Sequence, residues 1–259
     1  MNHLSFSFLL LSFGLFASIL LLIELGRRSG IRARQQDPEG AMSGTGTMDA
    51  AIFGLMGLLI AFTFSGAASR FDARRQLIVE EANRIGTAYL RMDLLPTPSQ
   101  PPLREKFRQY VDARLAVYRK LPDLAAATAE QRRASALQGE IWTQAVLACK
   151  ETGSPAIMTL VVGSLNEMID IASTRTEGSQ MHPPMIVHVM LVALLLVCSL
   201  LAGNLMAASK KRNWVHILGF AILLSLTVWV ILDLEYPRIG TIRIDAWDRV
   251  LVELRAGMK

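Results

Sequence analysis

Chemistry in this 259-residue chain would have to come from a short set of side chains. The four histidines, His3, His182, His188 and His216, lack the paired helical spacing, or the nearby Cys and acidic residues, of a metal site. Glu167 and Asp170 are i,i+3 carboxylates in an otherwise apolar stretch and can accept Arg84, Arg91 or Arg175; a structural ion pair fits them better than acid–base chemistry. Glu80 and Arg84 stand at i,i+4 with Glu81 between them, a spacing worth a few tenths of a kcal/mol on a solvated helix and suited to docking that helix on others. Asp233 and Glu235 precede Pro237, Arg238 and Gly240, with Arg238 as a local counter-charge; a cation site at these carboxylates is the alternative. Gly44-Thr45-Gly46 is too short for a phosphate-binding loop and reads as a flexible turn. No nucleophile elbow occurs. Cys149 and Cys198 fall in segments of different character and read as buried small hydrophobes. The residues therefore point to no enzyme, no metal and no cofactor.

The elements that carry these residues explain why. Hydrophobic residues make up 52% of the chain and charged residues 19%, with a mean hydropathy of +0.35; soluble chains carry about 25% charged residues. The apolar residues concentrate in runs 4–25, 50–68, 185–208 and 214–232. Each is close to the roughly 20 residues that cross a hydrocarbon core of about 30 Å. The first run has no basic flank before it and no small-x-small cleavage site before Glu24, so it reads as a retained anchor. The sequence thus predicts an all-α chain with four transmembrane helices and a helical extramembrane domain inserted between spans two and three. Its parts are a transmembrane hairpin over 1–68, a helical domain over 69–183, a second hairpin over 184–232 and a tail over 233–259.

Charge assigns the sides. Arg27, Arg28, Arg32 and Arg34 follow span one, and Lys210, Lys211 and Arg212 join spans three and four. Positive-inside counting places both short connections in the cytoplasm, and so puts the termini and the 69–183 segment on the outer face of a bacterial inner membrane. Arg70, Arg74 and Arg75, just past span two, count the other way. The outer segment holds 15 basic and 13 acidic residues, too balanced for a polyanion surface, and nucleic acid is excluded as a partner. Its prolines and glycines predict helices over 69–95, 103–120, 130–151 and 156–175. In the tail, Asp245 reads as an N-cap, and Trp247, Val250, Leu251 and Leu254 form one face of an amphipathic helix suited to packing on the soluble helices.

Span two carries the longest pattern. No proline interrupts Asp49–Leu95. Alternating steps of four and three from Ala50 pass through Gly54, Gly57, Ala61, Phe64, Ala68, Phe71, Arg75, Ile78, Ala82, Ile85, Tyr89 and Met92, with one charge among them. That is the spacing of a coiled-coil seam, with small residues through the membrane part. The stripe can pack on other helices of the same chain. It can also surround an oligomer axis, with a channel constricted at Phe64 or Phe71. Thr63 and Ser65 are the polar groups at depth in that span.

The run from Phe71 to Pro96, with Glu80-Glu81-Ala82-Asn83-Arg84-Ile85-Gly86 at its centre, resembles bacterial membrane proteins of the bestrophin-like domain family. Leu165-Asn166-Glu167-Met168-Ile169-Asp170 with Arg175 and Pro183-Pro184 supports the resemblance. Leu232-Asp233-Leu234-Glu235-Tyr236-Pro237-Arg238-Ile239-Gly240 is the third block. The resemblance covers most of the chain and implies likeness to bestrophins, which are pentameric anion channels; no bestrophin pore motif is visible to carry over. Two functions follow as expectations. One is a homo-oligomeric, channel-like protein of the bilayer that associates with itself. The other is a membrane-anchored interaction or sensor module whose helical domain binds an envelope protein partner.

Overall fold

The computed structural model describes residues 3–37, 45–209 and 211–259. Gly44, Lys210 and the side chain of His3 lie outside the described residues. Among the described residues all regular structure is helical, in keeping with the all-α expectation. The helices are α1 (His3–Gln36), α2 (Thr45–Arg91), α3 (Gln100–Arg119), α4 (Leu124–Thr152), α5 (Pro155–Gln180), α6 (Met185–Met206), α7 (Trp214–Glu235) and α8 (Arg249–Gly257), with short 3-10 turns between α2 and α3 and before α8. Four helical stretches are long and apolar enough to cross a membrane. The chain divides into two compact units, Met1–Arg70 with His182–Tyr236, and Phe71–Met181 with Pro237–Lys259.

In the first unit, α1 lies along α6, and α7 packs against α1. Leu15, Ile19 and Ile23 recur every fourth residue on α1 and are buried, as are Leu191, Leu195 and Cys198 on α6 and Ala221, Leu224, Val228 and Ile231 on α7. The 3.6-residue period places each set on one face. Lipid tails are as apolar as leucine, so what selects the neighbour is how closely the backbones can approach. A Cβ on Gly26 would lie 1.9 Å from the Leu200 carbonyl oxygen, and one on Gly203 would lie 2.0 Å from that of Ile23. The two helices therefore touch main chain to main chain. Helix α1 also runs on past Leu25 to Gln36, so the arginines taken for a loop are an extension of the helix. Arginine is a good helix former, and no proline stops the segment.

Two other boundaries differ from the sequence reading. Thr45 and Gly46 open α2 rather than forming a turn. Asp245 does not cap a helix, because its carboxylate receives Arg238 and Arg243.

The second unit is built on α3 and α4, which form an antiparallel pair, with α5, the later part of α2 and the tail around them. Helix α3 starts at Gln100 because Pro101 and Pro102 fit a first turn that needs no N–H donors. Asp123 caps α4, accepting from Ala126 N at 3.0 Å, so that helix starts earlier than residue 130. Gly153 ends it at φ 63°, a left-handed conformation that favours glycine. Ile85, Met92, Leu103, Phe107, Ile141, Leu165 and Met168 form the core, joined by Leu251 of α8. Val250 and Leu254 pack partly against it.

The glycine crossing gives a direct test. Gly203→Ala should destabilise the protein by at least the ~1–3 kcal/mol of ordinary overpacking, since backbone cannot rotate out of the way. Gly14→Ala, whose added carbon meets nothing within 4 Å, should leave the unfolding temperature in mild detergent unchanged. Equal melting of both variants with the parent would refute the crossing.

Candidate functional site

Three sets of residues could carry function: the face of α2, a buried charge network in the second unit, and a smaller charged group in the first. On α2, Gly54, Gly57, Ala61 and Phe64 are exposed, Ala68 and Phe71 are half-buried, and Ile78, Ala82, Ile85, Tyr89 and Met92 are buried. The seam is thus one line in sequence but not in space. A straight α-helix drifts by about 20° per heptad against a seven-residue repeat, which turns the stripe from an open face into the core of the second unit. What stays exposed follows steps averaging the true helical period: Gly54, Leu58, Ala61, Ser65 and Ser69 in the first unit, and Asp72, Gln76, Glu80, Asn83 and Thr87 in the second. Sequence reasoning missed this polar continuation; stepping by 3.6 rather than 3.5 would have found it.

From Ala50 to Phe64 the stripe is exposed. A Cβ on Gly54 or Gly57 would meet nothing within 4 Å. Among residues 50–68, only Met56 and Ala67 are buried. The small residues therefore do not serve a close intrachain crossing, unlike Gly26 and Gly203.

In the second unit Glu81 is fully buried between two guanidiniums. Arg114 Nε donates to its Oε1 at 2.5 Å, and Arg175 Nη1 donates to Oε2. Arg175 continues to Asp248 at 3.1 Å, and Arg238 holds the same carboxylate with a second arm on Asp245 at 2.8 Å. The Tyr118 ring lies under this group, with Arg175, Arg238 and Arg114 at 3.9, 4.6 and 5.6 Å from its centre. Burial alone would push the Glu81 carboxyl up, but Arg114 and Arg175 outweigh it and hold it below the ordinary value. For Arg114, burial pulls the other way and Glu81 again prevails, so its pKa is raised. Burial likewise raises Tyr110, whose hydroxyl accepts from Gln138 at 3.0 Å. Arg114, Arg175 and Arg238 meet Glu81, Asp248 and Asp245, the last of which also receives the exposed Arg243. The group ties α2, α3, α5 and the tail together.

The remaining predicted ion-pair residues divide differently. Arg84 bonds Glu167 at 2.7 Å and reaches Glu80 at 3.5 Å, all half-exposed to exposed. Arg91 goes to the Leu160 carbonyl, and Asp170 accepts from Asn166 at 2.7 Å. Arg238, proposed from spacing as a counter-charge for Asp233 and Glu235, follows Pro237 at the end of α7 and bonds Asp248 and Asp245 in the second unit. Glu235, buried in the first unit, accepts from Arg70 Nε at 2.9 Å, with His182 Nδ1 at 3.6 Å. His182 in turn stacks on Tyr236 at 4.6 Å. Asp233 is buried in the same unit. Among the described residues no three His, Cys, Asp or Glu side chains gather as a metal site. Cys149 and Cys198 are free and buried, each in a different unit, and burial raises the Cys149 thiol.

Glu81→Gln leaves two buried guanidiniums without their counter-charge and should cost about 3–5 kcal/mol. Glu80→Gln, at an exposed pair, should cost under about 1 kcal/mol. Because Glu81 is held below 4.5 in the folded protein, the stability it contributes is complete above that pH and is lost as pH falls through the folded value. Thermal unfolding in detergent from neutral to strongly acidic pH should show that acid loss in the parent and a flatter limb in Glu81→Gln.

No curated protein sequence is similar to the chain. Solved structures of a bacterial bestrophin homologue from Klebsiella pneumoniae, in several point-mutated forms, share its fold. One superposes with a TM-score of 0.70 at 14% identity, covering 94% of this chain and 98% of that one. A second gives 0.68 at 14% identity over 92% and 97%, and a third 0.66 at 15% over 93% and 97%. At such identities the likeness is one of fold. The sequence itself matches the Bestrophin-like domain model over residues 13–246, nearly the whole chain, and the protein belongs to that family.

Proposed function

We propose that the chain is a homo-oligomeric, channel-like membrane protein with the first part of α2 nearest the symmetry axis. The observation that supports this reading is the bareness of that helix. Only 11% of its apolar window is buried, against 22% for α1 and 33% for α7. A helix that leaves open space beside Gly54 and Gly57 is suited to close approach by other copies. Membership of a family named for its likeness to bestrophins, which are pentameric anion channels, points the same way. Phe64, 44% exposed, is the bulky residue on the bare stripe and would form a hydrophobic constriction able to gate by dewetting. Phe71 is half-buried, its ring 5.7 Å from the Arg75 guanidinium, and is the lesser candidate. Positive-inside counting supports a cytoplasmic position for the residues joining α1 to α2 and α6 to α7, with the termini outside.

Reconstituted in liposomes, the purified protein should pass small ions, and Phe64→Ala should raise the flux. Ala61→Cys should cross-link between copies under oxidation, since both native cysteines are buried. A monomer in mild detergent that never cross-links, together with no conductance in any salt or pH, would replace this reading with that of a membrane-anchored interaction module. An alkaline phosphatase fused after Lys259 should be active if the termini face outward, and silent if the charge count misleads.

A further inference from the structure

We infer that the basic end of the first unit holds an anionic phospholipid, one acyl chain lying in a groove between α1, α6 and α7 and the phosphate resting on Arg27 and Arg212. The groove measures about 440 Å³ and is lined by Ile23, Ala202, Met206, His216, Gly219 and Phe220, among others. That volume is in the ordinary range of ligand pockets, roughly 300–1,000 Å³, and its lining is almost wholly apolar. Arg27 follows Ile23 by one turn and so stands on the same face of α1, immediately beyond the groove. Its guanidinium reaches the Ser209 carbonyl at 3.3 Å, which brings it to the end of α6. Arg212, two residues before α7, donates to Glu24 at 2.9 Å. Arg28 donates to the same carboxylate oxygen at 2.8 Å.

One carboxylate thus receives two guanidiniums and cannot neutralise both. Along the sequence at this end, over 24–49 and 209–214, seven basic residues stand against four acidic ones. The surplus sits where three apolar helices end, which is the depth of lipid phosphates, and the exposed Trp214 stands at the same level. Guanidinium forks suit phosphate oxygens, and basic residues between membrane helices are a recurrent headgroup site. A soluble anion would leave the apolar groove below unfilled. A second copy docking the same surface would bring like charges together. Charge and groove together favour the lipid.

Native mass spectrometry of the full chain, titrated with phosphatidylglycerol or phosphatidylcholine, tests the assignment. Phosphatidylglycerol should be retained about tenfold or more over phosphatidylcholine. The double variant Arg27→Gln with Arg212→Gln should lose that preference. Gly219→Leu should lower retention without disturbing the fold, because a Cβ at Gly219 meets nothing within 4 Å; its unfolding temperature in lipid-free detergent should equal that of the parent. Equal retention of the two lipids would overturn the inference, as would phosphatidylglycerol retention unchanged in both variants. Displacement of the lipid by millimolar inorganic phosphate alone would overturn it in favour of a free-anion site. Dissociation of an oligomer by Gly219→Leu, with no change in lipid retention, would do so in favour of a second copy.

Discussion

One uninterrupted helix of 47 residues serves two solvents, and the arrangement of the chain depends on how it does so. In water an apolar face left open costs about 25 cal/mol per Å², so Ile78, Ala82, Ile85 and Met92 must be covered, and they are. In lipid the same exposure costs almost nothing, and only shape and polar groups select a neighbour. Gly54, Gly57 and Ala61 can therefore remain bare in a stable single chain. The helical period does the rest. A stripe written at 3.5 residues per turn drifts around a 3.6-residue helix. Any association between copies uses a face that the chain's own folding does not require.

Covering the later half calls for a second device. Apolar contact fixes how deeply α2 sits among α3, α4 and α5, but it does little to fix register, since neighbouring turns offer similar surfaces. Glu81 supplies the register. A carboxylate without solvent is tolerated only where guanidiniums meet both its oxygens, and Arg114 and Arg175 do so from two different helices. Asp248 extends the same demand to the tail: Arg175 and Arg238 share it, and α8 follows directly with Leu251 in the core. A one-turn slip of α2 would separate Glu81 from both Arg114 and Arg175.

The features legible in the sequence are those encoded locally. The four apolar runs, the proline and glycine breaks and the amphipathic spacing of Val250, Leu251 and Leu254 each depend on residues within a few turns of one another. The charge network does not. Glu81 finds Arg114 33 positions away and Arg175 94 positions away, and among many arginines nothing local distinguishes those two. Arg238 shows the limit most clearly. Spacing suggested Asp233 and Glu235, but Pro237 redirects the chain and the partner is Asp248, while Glu235 takes Arg70 from 165 positions away. The length of α1 was misread for a different reason: a run of arginines looks like a loop when charge is taken as the mark of water, although arginine is at ease in a helix.

The net charge of +5 is unevenly settled. In the second unit Arg114, Arg175 and Arg238 each meet a carboxylate, so their charge is spent inside the protein. At the end of α1 the charges are shared differently, because Glu24 alone receives both Arg28 and Arg212. Arg28 and Arg212 are held in place by the helices and share that one carboxylate. A cation so fixed at headgroup depth is stabilised by whatever anionic surface lies beside it, and an anionic leaflet supplies about 1 kcal/mol for each such residue. Orientation by positive charge and retention of an anionic lipid are then two consequences of one electrostatic fact. The first depends on how many basic residues lie at that end; the second depends on Arg27 and Arg212 standing over an apolar groove.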